Sequence, residues 1–320
     1  SAGARLAWCI DVVDDGARHG NIAGKPADRI LNLVAHDPAI GIGNRPNNRA
    51  IQSLVEGISH SCGHDGHMAI LLGVASLLQE SDLTEGRVIL LFQPAEETGE
   101  GALAVLNDPR FSKINPDFVF ALHNLPGFEM GSVLCRKGTF TAAVKSMIIR
   151  LRGVTAHAAQ PETGVNPALA VSEIIQTAHQ LQHVAPDQNF RLITLIQVEL
   201  GEEAFGVSAG YGEVKFTLRS WINEGLDELC QTFEESVQSI ANVCRVDLEI
   251  ERTQPFAANE NGDDMVNLVE KVAHQNGIKY HELSSPLRFG EDFGLFTQRF
   301  KGGMFGLGAG LETPALHNPD

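Results

Sequence analysis

The stretch Arg87-Val88-Ile89-Leu90-Leu91-Phe92-Gln93-Pro94-Ala95-Glu96-Glu97 decides the class of fold. Its apolar run from Arg87 to Phe92 is continuous rather than alternating and is flanked by Gly86 and Pro94. That is the form of a strand covered on both faces in a parallel sheet. The strand ends at Gln93-Pro94, and two adjacent carboxylates, Glu96 and Glu97, follow in a Gly-rich turn before a short helix to Asn107. A second apolar run, Asp117 to Leu122, ends in His123-Asn124-Leu125-Pro126-Gly127. Both sets of candidate ligands fall at the carboxyl ends of strands, the edge where open α/β sheets bind ligands.

Upstream lies the densest cluster of donors, His60-Ser61-Cys62-Gly63-His64-Asp65-Gly66-His67. In an extended or loop conformation Cys62 and His64 point to the same side and can reach one ion or an adjacent pair, and Gly63 and Gly66 let the backbone turn between them. Met68 to Gln79 then reads as a buried helix whose first turn begins at Asp65, a candidate N-cap. Three separate segments delivering Cys, His and Glu to one sheet edge are hard to explain by packing alone. Residues 1 to 50 mix Gly, Pro, Asn and Asp with short apolar runs and settle into no sustained period.

From about Ala142 the pattern changes. Strands at Val144 to Leu151, Phe190 to Leu200, Gly212 to Trp221 and Val246 to Arg252 alternate with helices at Asn166 to Gln182 and Leu226 to Val243, a βαββαβ order expected of a ferredoxin-like sandwich. His157 falls on the loop between its first strand and first helix. After Pro255 a helix, Asp264 to Asn276, and a Gly-rich apolar strand, Gly302 to Gly310, return to the first pattern. The expected organisation is an α/β, mixed-sheet catalytic domain built from residues 1–141 and 255–320, with residues 142–254 inserted as a second domain.

At 320 residues the chain can bury more than one domain-sized core. No run is apolar for membrane-spanning length, and no basic segment followed by an apolar block marks a signal peptide at the start. Five scattered cysteines do not form a disulfide framework, so a reducing cytoplasm is the natural compartment. The formal net charge of −16 argues against a nucleic-acid partner and favours solubility. A structural zinc module is a weak reading, because its four ligands would cluster as two close pairs.

Six ordered segments carry a resemblance: Ser61 to His67, Gln93 to Glu97, Leu122 to Gly127, Gly153 to Ala159, Gly290 to Phe293 and Leu316 to Asp320. Together they resemble the M20 metallopeptidase superfamily, in its amidohydrolase branch of hippurate hydrolases, N-acyl-amino-acid amidohydrolases and auxin-conjugate hydrolases. The resemblance implies a catalytic domain holding two divalent metal ions, Mn, Zn or Co, with an inserted lid that also forms a homodimer. By position it makes Cys62, His64, Glu97, His123 and His317 the metal ligands, Glu96 the general base and His157 a lid residue that stabilises the oxyanion; the roles of Arg219 and Asp292 stay open. Three departures accompany it. Cys9-Ile10-Asp11-Val12-Val13-Asp14 only faintly echoes the acidic strand segment of relatives, the chain stops short of a further helix after His317, and Gly206 to Gly210 replaces an Asn-Val-Ile-Pro-like stretch. The resulting expectation is a metal-dependent amidohydrolase cleaving the amide of a small N-acylated amino acid. The alternative is a catalytically inactive fragment or a ligand-binding relative of the same fold.

Overall fold

The structure, a computed structural model, describes residues 62–81 and 86–316 together with the backbone of 5–11. In chain order it opens with strand β1 (Arg5–Asp11), helix α1 (His64–Glu80), β2 (Arg87–Gln93), α2 (Gly101–Asn107), β3 (Phe118–Leu125), β4 (Val133–Cys135) and β5 (Gly138–Thr141). There follow β6 (Ala143–Arg152), the two-residue β7 (Ala156–His157), α3 (Ala168–Gln180), β8 (Arg191–Leu200), β9 (Val207–Ser208), β10 (Tyr211–Ser220), α4 (Asn223–Cys244) and β11 (Asp247–Phe256). The last elements are β12 (Asn259–Asn261), α5 (Asp263–Gln275), β13 (Tyr280–Glu282), α6 (Gly294–Thr297) and β14 (Lys301–Gly308).

The chain divides into two compact units, one of Ser1–Phe140, Asn259–Pro286 and Glu291–Asp320, the other of Thr141–Ala258 and Leu287–Gly290. The first holds a six-stranded mixed sheet in the order β13-β4-β14-β3-β1-β2. Strands β2, β1, β3 and β14 run parallel, and β4 runs antiparallel to β14. Ile89, Leu90 and Leu91 of β2 and Val119 to Leu122 of β3 are buried in unbroken runs, because a strand covered on both faces exposes neither set of alternate side chains. Close contact between β3 and β14 requires glycine: Gly302 has φ +140 and lies opposite Val119, and a Cβ there would overlap the Val119 carbonyl.

The second unit is a four-stranded antiparallel sheet in the order β11-β6-β10-β8, with α3 and α4 packed on one face in βαββαβ order. In β10 and most of β6 burial alternates with a period of two. Val214, Phe216 and Leu218 of β10 and Met147, Ile149 and Leu151 of β6 point into the core, where they meet Ile174 of α3 and Leu229, Phe233 and Val237 of α4. The spacing of buried residues along α4, from Leu226 through Cys230, Phe233 and Val237 to Ala241, is that of one helical stripe. The opposite face of the sheet is polar, with Arg150 paired to Glu213, Glu249 and Glu251.

Several sequence expectations are corrected. The N-cap of α1 is Gly63 in the left-handed conformation (φ 85), and Asp65 lies inside the first turn, since His64 already has helical geometry. That helix is buried only along His64, His67 and Leu71, so it is one-sided rather than enclosed. His123 lies within β3, because strand pairing with β14 continues through Leu125. His157 lies in β7, paired with Val207 of β9, rather than on a free loop. In the first fifty residues β1 is a strand, and its register sets Asp11 beside Gln93; residues 12–61 lie outside the described part.

Phe216 and Phe233 meet edge to face in the core of the second unit, with ring centroids 5.2 Å apart. Phe216→Ala should cost about 3–5 kcal/mol, because the surrounding sheet and helix collapse only partly into the cavity. Denaturant melts of the variant against the parent measure it.

Candidate metal centre

All the described donors of the candidate centre belong to the first unit. Cys62 immediately precedes the Gly63 turn, and His64 is the first residue of α1. The turn after β2 carries Glu96 and Glu97, and His123 comes from β3. Two groups of three can each place their ligand atoms within 4.8 Å of one another: Cys62, His64 and His123, and His64, Glu96 and Glu97. His64 is common to both, so one imidazole stands between a thiol–imidazole side and a carboxylate side. Cys62 Sγ lies 3.4 Å from His123 Nε2. His64 Nε2 is 3.7 Å from Glu96 Oε2 and 4.0 Å from Glu97 Oε1.

These separations suit a cation. Ligand atoms held at the usual zinc bond lengths lie about 3.3–3.8 Å apart around a tetrahedral ion. His64, Glu96 and His123 are buried, whereas the side chain of Glu97 is 35% exposed. Taking carboxylates out of water without opposite charge costs several kcal/mol each. A divalent ion between the donors offsets that cost, and a mixed set of thiolate, imidazole and carboxylate accommodates Zn, Co or Mn.

Neighbouring groups aim the donors. His123 Nδ1 lies 2.7 Å from the Asn124 carbonyl oxygen, which can only accept, so Nδ1 carries the proton and Nε2 keeps its lone pair toward Cys62. Asn124 also reaches back to α1: its backbone N–H lies 3.0 Å and its side-chain Oδ1 2.8 Å from His67 Nε2, which accepts from the first in one tautomer and donates to the second in the other. Burial lowers the pKa of His67, outweighing the opposing effects of Asn124 and Asp65. The rings of His67 and His123 are 4.7 Å apart.

Two acidic residues from the segment before α6 complete the surroundings. Glu291 is buried, with Oε1 3.5 Å from His123 Nε2. Asp292 is also buried; desolvation pushes its pKa up to about 7, against hydrogen bonds from Ala102, Gln93 and Gly101 that favour the charged form. Reading residue types along the sequence overlooked Glu291, Gln93 and Asn124, although each lies inside one of the six ordered motifs. That position was the available signal.

The remaining residues singled out in the sequence belong to the second unit or lie outside the described residues. His157 belongs to the second unit, where its Nδ1 accepts from the Ala159 amide at 3.0 Å. Arg219 is also in that unit, donating from Nη1 to the Arg288 carbonyl at 2.8 Å, and burial lowers its pKa. His317 lies outside the described residues.

A thiol, two imidazoles and two carboxylates gathered at the carboxyl edge of a mixed sheet are the donor set of an α/β metallohydrolase. The chain belongs to Peptidase family M20/M25/M40, whose profile matches residues 44–320. Among its relatives is the N-acetyldiaminopimelate deacetylase of Lactobacillus helveticus, 30% identical, with 85% of this chain and 72% of the relative covered. The N-acetyl-L-cysteine deacetylase of Bacillus subtilis is also 30% identical, over 88% of this chain and 67% of the relative. So is the hippurate hydrolase of Campylobacter jejuni, over 86% and 72%. The fold is shared with the crystal structure of Bacillus subtilis YxeP, a dinuclear metal-binding peptidase: TM-score 0.71, 22% identity, 99% of this chain and 75% of that one covered.

Gly63 bears on the geometry of the centre because it separates two of the donors. Its backbone is left-handed, and a Cβ would sit 2.9 Å from the Asn124 amide. Gly63→Ala should therefore lower stability by about 1–2 kcal/mol from the backbone alone. Denaturant melts of the metal-free protein report that loss without any contribution from bound ions.

Proposed function

We propose that the protein is a metal-dependent amidohydrolase that cleaves the amide bond of small N-acylated amino acids. The observation that carries this reading is His64 shared between two donor groups, one completed by Cys62 and His123 and the other by Glu96 and Glu97. The named activities of the relatives, two deacetylases and a hippurate hydrolase, agree on the chemistry and on an N-acyl amino acid as the substrate. In this reading Cys62, His64, Glu97, His123 and His317 hold two divalent ions, Mn, Zn or Co. When bound, such a pair supplies polarisation of the scissile carbonyl and a lowered pKa for the attacking water.

The protein's own groups perform the proton transfers. Glu96 accepts the proton of the attacking water and returns it to the departing amine, so one carboxyl serves as base and then acid. His123 and His67 are held by Asn124.

The second unit serves in this proposal as a lid and as the homodimer contact, with His157 donating to the oxyanion that develops on the substrate carbonyl. No helix among the described residues is long and apolar enough to cross a membrane. Cys135, Cys230 and Cys244 are thiols, which supports a reducing cytoplasm. A catalytically inactive relative is not favoured, since both the described donors and the candidate base are present.

Two variants separate binding from chemistry. Cys62→Ser should lower metal content, because a hydroxyl is a far poorer ligand than a thiolate. Glu96→Gln should keep the metal and lose turnover of N-acetyl and N-benzoyl amino acids, since the amide preserves shape without the basic lone pair. Metal analysis beside activity after reconstitution with Mn, Zn or Co reads both, and loss of metal from Glu96→Gln would exchange the roles of Glu96 and Glu97.

For the lid, His157→Ala should reduce kcat by a factor on the order of 100 to 1000 with metal content and thermal midpoint unchanged. A near-normal kcat, or a loss accounted for by unfolding, removes His157 from the site.

A further inference from the structure

Glu96 and Glu97 lie in the turn between β2 and α2, and both ends of that turn are tied to a single buried carboxylate. Gln93, the last residue of β2, donates from Nε2 to Asp292 Oδ1 at 2.6 Å and Oδ2 at 2.8 Å. On the other side, the backbone N–H of Ala102, in the first turn of α2, donates to Oδ2 at 2.7 Å. The Gly101 amide adds a further hydrogen bond to the same group. Gly101 also leaves the space in which this contact forms: a Cβ there would lie 2.8 Å from Gln93 Nε2 and 3.1 Å from Asp292 Oδ2.

The turn has its own internal bonds, from the Gly99 amide to the Glu96 carbonyl at 2.7 Å and from Glu100 and Gly101 to the Ala95 carbonyl at 3.2 and 3.1 Å. These make it a compact body, so fixing its two ends fixes the direction of the side chains it carries. Every group facing Asp292 in these contacts is an N–H donor, and a carboxylate presents an acceptor at both oxygen positions. Its neighbour in sequence, Glu291, faces His123. One short segment therefore touches the turn bearing Glu96 and Glu97 and also the imidazole on the thiol side of the centre.

We propose that Asp292 is a positioning residue of the metal centre, whose carboxylate clamps β2 to the first turn of α2 and so sets the aim of Glu96 and Glu97 at the donor cluster. The proposal rests on the reading of Glu96 and Glu97 as base and ligand given above. It assigns Asp292 no contact with substrate or metal. An Asn at this position keeps the shape but puts an NH2 group in place of one carboxylate oxygen, facing the Gln93 Nε2 donor or the Ala102 N–H, so one side of the clamp sets donor against donor without a cavity. Removing the Gln93 donor loosens only the β2 side.

The test uses the full chain and two variants, Asp292→Asn and Gln93→Met, each first stripped of metal. Cobalt is titrated in against a competing chelator, with the thiolate-to-cobalt charge-transfer band as the report on Cys62; kcat, KM and the thermal midpoint of the metal-free protein are measured beside it. In both variants the equivalent that generates the thiolate band should keep its affinity, while the other equivalent weakens ten- to a hundredfold. The same change should lower kcat with KM nearly constant, and the smaller effect should belong to Gln93→Met. A variant that matches a metal-binding parent in both affinities and in kcat overturns the role of Asp292, as does a uniform loss of both equivalents that tracks the thermal midpoint. If Asp292→Asn does not fold, Gln93→Met decides by the same criteria. A parent chain that takes up no cobalt overturns the metal reading itself, and the clamp with it.

Discussion

A buried carboxylate must find either a proton, a cation or a set of N–H donors, and the larger unit of this protein meets that constraint in two ways side by side. Around His64, Glu96 and Glu97 converge with a thiol and a second imidazole at separations of 3.4 to 4.0 Å, close enough for common ligation. A few residues away, Asp292 is buried too, but its acceptors are met by Gln93 and by the backbone of α2. The first arrangement concentrates charge that a divalent ion offsets; the second uses fixed dipoles and leaves the carboxylate with a structural task. The difference follows from the partners rather than from the residue type.

The sheet makes this division possible. Parallel strands β2 and β3 end at one edge, so the chain leaving β2 and the last residues of β3 are delivered together while the sheet interior stays apolar. Close passage of β14 beside β3 depends on Gly302, and it is in this paired stretch that His123 is held. Rigid strands then supply imprecise chemistry with precise placement: the Asn124 carbonyl selects the His123 tautomer, and the Asn124 amide meets His67 one helical turn beyond His64. These contacts need no new residue types, only accurate register.

Local rules misplace elements where tertiary contact overrides them. Asp65 has the chemistry of an N-cap, yet the cap of α1 falls two residues earlier, because Gly63 can adopt the left-handed backbone that turns the chain between two candidate donors. The boundary of β3 at Leu122 follows hydrophobicity, but hydrogen bonding to β14 carries the strand through polar His123 and Asn124. The second unit suffered less from such conflict. Its central strand β10 alternates and its helix α4 keeps one apolar stripe, so period alone locates them.

Sequence by itself determined the alternation of apolar strands and helices, the βαββαβ order of the second unit, and the donor types: a thiol, imidazoles and paired carboxylates at strand ends. These are properties of composition and period, which depend on neighbours a few residues away. Only the tertiary structure decided that His64 is shared by two donor groups, that Asn124 directs both His67 and His123, and that Asp292 faces N–H donors rather than the donor cluster. Asp292 and Gln93 are 199 positions apart along the chain. No local preference acts over that distance; their contact exists because the segment before α6 packs against the end of β2, and burial then leaves the carboxylate no partner in water.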